Sequence, residues 1–173
     1  IKIAITNRNK KAAPVTLLPT LWCYNRWTFT PEEPKPLIKS CTKNSVRVSH
    51  SRLGNYFFYF QAPTDALFTE NETNQQKLYG IPNPQPYVKD VFHEVIVNGK
   101  TNLLQGKTGG TKAAIVYRLK LRGFDREEIH LRLSHAQVTG PPLEHPAKIF
   151  DQRIQETNEF GKCLAPINAD PDL

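Results

Sequence analysis

Apolar and polar residues alternate along most of the chain. In "IKIAIT", Ile1, Ile3 and Ile5 fall on one face, the period-two pattern of a half-buried strand. "NRNKKAAP" reads as a turn, and "VTLLPTLWCYNRWTF" is rich in β-branched and aromatic residues, with Pro19 marking an edge position or a bulge. "EEPKP" is a proline-rich connector. "VRVSHS" alternates again, and "LGN" supplies turn chemistry before the aromatic run "YFFYFQA". "ALFT" is a short strand leading into a long polar connection, Phe68–Asp90. "VFHEVIVNGK" reads as a further strand closed by an Asn98-Gly99 turn, and "QGKTGGTK" as a glycine-rich loop. "AAIVYRLKLR" and "EIHLRLSHA" then read as a hairpin joined through "GFDRE".

Near residue 145 the period changes. Ile149, Phe150, Arg153, Ile154, Thr157 and Phe160 recur at helical spacing in "PAKIFDQRIQETNEFGKCL", which predicts one amphipathic helix followed by a polar tail, "APINADPDL". Many short strands and one terminal helix predict a mainly β fold, an antiparallel β-sandwich. The expected organisation is a sandwich domain over 1–145, then a helix and tail over 146–173.

At 173 residues, 39% hydrophobic, the chain has the size and composition of one soluble globular domain. No apolar run approaches the roughly 18 residues that span a bilayer. Residue 1 is Ile, already in a strand pattern, so the chain reads as an excerpt of something longer. Cys23, Cys41 and Cys163 are odd in number and form no CxxC pair, which predicts free thiols in a reducing, cytoplasmic compartment. The net charge of +7 is scattered, with no run of five cations, and reads as a solvated basic surface rather than a nucleic-acid footprint.

Several motifs fail on their own chemistry. "GKTGGTK" has Thr101 where a phosphate loop needs glycine, and a strand pattern follows instead of a helix. His130 and His135 fall on opposite faces of one strand, and His50, His93 and His145 have no ligand-spaced partners, so no metal and no cofactor are expected. "RGFDRE" lacks the remainder of an RNA-recognition motif. Asn71-Glu72-Thr73 spells a glycosylation sequon by chance composition.

Two groups remain. Glu70, Glu72, Asp90 and Glu94 form the dense carboxylate group of the middle of the chain. Glycoside hydrolysis needs two carboxylates about 5–9.5 Å apart. Ligand or interface contact, and a loop that locks itself through Asn, Asp and Pro chemistry, are the alternatives. Trp22, Tyr24 and Trp27 are candidate platforms for sugar rings, or else core aromatics.

"ITNRN", "LLPTLWCYNRW", "LFTENETNQQKLYGIPNPQPYVKD", "GGTKAAIVYRL" and "LRLS" occur in one order over residues 1–160. In this they resemble the N-terminal sandwich region of bacterial glucosidase-like proteins in or near glycoside hydrolase family 63. The resemblance implies part of a β-supersandwich ahead of a helical toroid that carries the catalytic acid and base, with the terminal helix as the linker. It implies a non-catalytic domain that supports or rims the toroid's active site, in an inverting α-glycosidase. Glu70, Asn71, Glu72, Asn74, Asn83, Tyr87, Lys89 and Asp90 match the motif and would touch substrate or the neighbouring domain, together with Trp22 and Trp27. Lys77, Tyr79 and Val91 depart from it, standing where Arg, Phe and a small residue are usual. The implied partners are the toroid, a carbohydrate, and a second copy through exposed sheet edges; nucleic acid and membrane are not expected. A stand-alone carbohydrate-binding module and a basic nucleic-acid-binding protein are the alternatives.

Overall fold

The computed structural model describes residues 1–30, 32–144 and 146–164. The polar tail at 165–173 and His145 lie outside the described residues. The chain divides into two units, Ile1–Pro142 and Leu143–Leu173.

The first unit is an antiparallel β-sandwich. Its strands are β1 (Lys2–Thr6), β2 (Ala13–Leu17), β3 (Thr20–Trp22), β4 (Leu37–Thr42), β5 (Ser45–His50), β6 (Gly54–Phe60), β7 (Asp65–Thr69), β8 (Gly109–Gly110), β9 (Lys112–Leu121) and β10 (Arg126–Ser134). One sheet has six strands in the order β1-β10-β6-β5-β4-β8, and the other is built around β9. On one side β9 carries β2 and β3, in line across the break at Leu18-Pro19; on the other it carries β7. Pro19 sits in that break, where its missing N–H is not needed and its carbonyl accepts the Ile115 N–H at 2.9 Å.

Alternation on β9 sorts its side chains between two cores. Ala113, Ile115 and Tyr117 point into the sandwich and meet Ile38, Val46, Val48, Phe58, Phe60, Ile129 and Leu131 of the other sheet. Ala114 and Val116 point outward against Leu67 and against α2 (Val91–Ile96) and a 3₁₀ turn (Thr101–Leu104). The run Ala113–Val116 is therefore fully buried, each residue at 0% exposure. A strand covered on both faces reads as a continuous apolar run instead of an alternation.

Three features differ from the pattern-based expectation. The segment after Asp90 is a helix, α2, and not a strand. Val91, Phe92, Val95 and Ile96 lie at helical spacing, and that stripe caps the outer face of β9. Asn98-Gly99 follows the helix end and closes no hairpin. Secondly, β9 and β10 do not pair with each other but belong to opposite sheets. Both have inward apolar faces, and these pack face to face across the core. The turn between them is clamped by Asn7. Its side-chain amide donates to the Lys11, Leu121 and Arg122 carbonyls, and its backbone N–H donates to the Asp125 carbonyl at 2.9 Å. Thirdly, the glycine-rich segment is not wholly loop. Gly109–Gly110 pairs with Ile38 and Lys39 of β4, so the chain passes from the rim of one sheet to the centre of the other. A side chain at Gly110 would lie 2.3 Å from the Thr69 carbonyl oxygen, so glycine is required there. Three elements went unread: β4, whose Ile38 is fully buried, α1 (Gln75–Tyr79) and the 3₁₀ turn.

The second unit contains α3 (Pro146–Leu164), the predicted helix. It carries i,i+4 amide–carboxylate pairs, Gln152–Glu156 and Gln155–Glu159, and an Arg153–Glu156 ion pair. None of its described residues is buried. Among the described residues, no helix is long and apolar enough to cross a membrane.

Candidate functional site

The Phe68–Asp90 connection leaves β7, forms α1 and returns to α2. It divides into a self-locked frame and a cleft wall.

The frame comes from its amides. Asn74 caps α1, its Oδ1 accepting the Lys77 N–H at 3.0 Å. The same Oδ1 accepts from the Asn83 side chain, whose own Oδ1 accepts the Gln75 and Gln76 N–H groups at 2.8 and 3.2 Å. Asn74 Nδ2 donates to Asp90 Oδ2 at 3.0 Å. The returning strand is fixed by the Thr69 hydroxyl, which donates to the Tyr87 and Val88 carbonyls, and by a parallel bridge between Glu70 and Val88. Glu70 is occupied by the Thr111 hydroxyl at 3.0 Å and Lys107 at 3.4 Å. The Tyr87 ring packs against the α2 core. Glu70, Asn74, Asn83, Tyr87 and Asp90 are therefore spent on holding the connection in one shape.

The cleft lies where this connection meets the segment after β3. It has a volume of about 820 Å³ and is lined by Trp22, Tyr24, Trp27, Phe29, Lys35, Asn71, Glu72, Tyr79 and Lys89, among others. The segment after β3 is tied to the connection by paired amides: Asn71 donates to the Cys23 carbonyl at 3.0 Å, and Asn25 to the Asn71 carbonyl at 2.9 Å. Trp22 and Tyr24 are exposed, at 57% and 81%, whereas Trp27 is buried at 7%. Glu72 is buried to the same degree, and its Oε1 accepts the Trp27 indole N–H at 3.0 Å and a Lys35 proton at 2.6 Å. Lys89 donates to the Thr73 hydroxyl at 3.2 Å.

The four carboxylates are held by separate partners. Glu94 bonds Lys100, and this bond, with a second from Asn98, holds it below the usual carboxylate range. Asp90 faces Asn74, with Lys77 at 3.9 Å, while Glu70 and Glu72 have the separate partners given above. Glu72 is the one carboxylate among the described cleft residues, so a two-carboxylate hydrolytic pair is not assembled in the cleft. The arrangement offers instead two open aromatic faces beside a fixed carboxylate and several amides and hydroxyls. Flat apolar faces with a few convergent polar groups suit a sugar ring. No group of three or more His, Cys, Asp or Glu among the described residues could hold a metal ion.

Of the residues picked from the sequence, Trp22, Tyr24, Trp27, Asn71, Glu72 and Lys89 come together here; Glu70, Asn74, Asn83, Tyr87 and Asp90 form the frame, and Glu94 pairs with Lys100. Lys35 was missed. It stands between Pro34 and Pro36 in a connector whose proximity to Glu72 is purely tertiary.

The chain is 31% identical to the uncharacterized protein YMR196W of Saccharomyces cerevisiae over 212 aligned positions, which cover 99% of this chain. The chain spans 19% of the length of that yeast protein. No family model and no solved structure matches.

Proposed function

We propose that this chain is the non-catalytic β-sandwich domain of a larger glycoside hydrolase of the α-glucosidase kind, and that its aromatic cleft contacts carbohydrate at the rim of the active site. The observation that carries the reading is the pairing of exposed Trp22 and Tyr24 with buried, fixed Glu72 in one open cleft. Glu72 standing as the one carboxylate among the described cleft residues supports a domain that contacts carbohydrate without itself transferring protons. Two further observations support the longer context. The central motif resembles bacterial glucosidase-like proteins near glycoside hydrolase family 63, and the yeast relative extends far beyond the matched region. The three free thiols accord with a reducing, cytoplasmic compartment. The same cleft would serve a stand-alone carbohydrate-binding module.

The test is a panel of α-glucosides and α-mannosides presented to the purified chain. Binding without turnover is expected, and Trp22→Ala should abolish it. Turnover that disappears in Glu72→Gln would overturn the non-catalytic assignment, and the absence of binding to any member would overturn the carbohydrate assignment.

A further inference from the structure

We propose that Lys89 and Lys112, at the margin of the cleft, form a subsite for an anionic group — phosphate, sulfate or carboxylate — carried by the bound ligand. This rests on the carbohydrate reading for the body of the ligand, and on different residues for the anion.

The first observation is a matching of charges that leaves a remainder. Around the cleft and its frame each carboxylate holds one lysine: Glu72 with Lys35, Glu70 with Lys107, Asp90 with Lys77 and Glu94 with Lys100. Lys89 and Lys112 have no carboxylate partner among the described residues. Lys89 contacts a neutral hydroxyl, that of Thr73. Lys112 lies over two rings, with Nζ 6.0 Å from the Trp22 centroid and 5.7 Å from that of Phe92.

The second observation is rigidity. Lys112 begins β9, in register with Trp22 of β3 on one side and Thr69 of β7 on the other. Its stem is therefore fixed by two strands, and it is half-buried. A fixed cation beside an aromatic platform costs little ordering when a ligand arrives.

The third observation is a shared neighbour. Lys89 lines the cleft together with Trp22, and Lys112 lies over the Trp22 ring, so both cations border the same platform. Burial lowers the pKa of Lys112, and the charge of Lys89 lowers it further, so an incoming anion at that margin stabilises both. The ring contacts offset part of the desolvation of Lys112 but do nothing for Lys89. A ligand whose ring stacks on Trp22 and whose anionic group reaches Lys112 and Lys89 satisfies all three observations.

The experiment is calorimetric titration of the whole chain, at low salt, with methyl glucoside, glucose 6-phosphate, glucose 6-sulfate, glucuronate and inorganic phosphate. At least one anionic sugar should bind about tenfold or more tightly than methyl glucoside, the scale of one charge-assisted hydrogen bond. Which of the three binds identifies the anion. Lys89→Gln and Lys112→Gln should each remove that preference, read as the ratio of the anionic to the neutral sugar's affinity within each variant. Lys89 is exposed, so its replacement leaves the fold intact and carries the test even if the Lys112 variant is unstable. Equal affinity for neutral and anionic sugars, or a preference that survives Lys89→Gln, overturns the subsite and leaves the carbohydrate reading standing. Failure of every sugar to bind overturns both.

Discussion

Glu72 is where the geometry makes its sharpest energetic statement. Its Oε1 is the acceptor for the buried Trp27 indole, and Lys35 shares the same oxygen. Glu72→Leu keeps the bulk and removes the acceptor, stranding a buried N–H donor at a cost of about 1–3 kcal/mol. The ion pair adds less, because the Lys35 side chain is 46% exposed and its charge is screened by solvent; about 0.5 kcal/mol is the right scale. Glu72→Gln retains a carbonyl acceptor for the indole and loses only the charge, so it should cost about 1 kcal/mol or less. In a unit of this size about 1 kcal/mol moves Tm by roughly 2–4 °C, so Leu should lower it by about 5–10 °C and Gln by about 1–4 °C. Urea unfolding followed by Trp27 fluorescence in a Trp22→Phe background gives the same comparison as free energies. Equal losses for Gln and Leu would show that charge, and not the indole acceptor, holds the cleft floor. No loss in either would show that Glu72 is not part of a packed floor at all.

Gly110→Ala should destabilise by about 3 kcal/mol or more in urea, because its Cβ would sit 2.3 Å from the Thr69 carbonyl oxygen. Gly80→Ala, at φ +71° but in open space, should cost only about 1 kcal/mol. Burial pushes the Tyr117 phenol up to about 12. The unfolded phenol ionises near 10, so this contribution is complete below that pH and falls away as pH rises through about 12. Tyr117→Phe should flatten that alkaline loss and remove a late step from the alkaline absorbance titration. Asn83→Ala should cost about 1 kcal/mol through the α1 cap and should speed amide exchange at Gln75 and Gln76 much more than in β9.

The strands with one wet face were legible because period two survives in them: β1, β5 and β10 read directly as alternation. So did α3, where the period shifts. The reading failed where burial on a second face erased polarity. The segment at Val91–Ile96 is apolar at four of its six positions, and short apolar runs do not distinguish strand from helix by periodicity. The pairing of β9 with β10 was misread for a related reason. Sequence adjacency favours a hairpin, but the turn here is fastened to Asn7, more than a hundred residues away, and this sends β10 into the other sheet. In the long connection, residue types left a locked loop open as one of several alternatives; Asn74 and Asn83 do what capping amides do. They could not say which carboxylate would face the cleft. That depends on Trp27 and Lys35, which only the tertiary fold brings to Glu72.

The carbohydrate assignment meets its most direct test in the two indole N–H resonances, since the chain contains two tryptophans. Titration with α-linked gluco-oligosaccharides, neutral and anionic, should move the Trp22 signal in a saturable way. The Trp27 signal, held by Glu72, should move far less. Saturable movement of Trp22 that is lost when Tyr24 is changed to Ala is the expected result. Movement of neither signal with any sugar of the panel, at concentrations up to tens of millimolar, would contradict a sugar-contacting cleft.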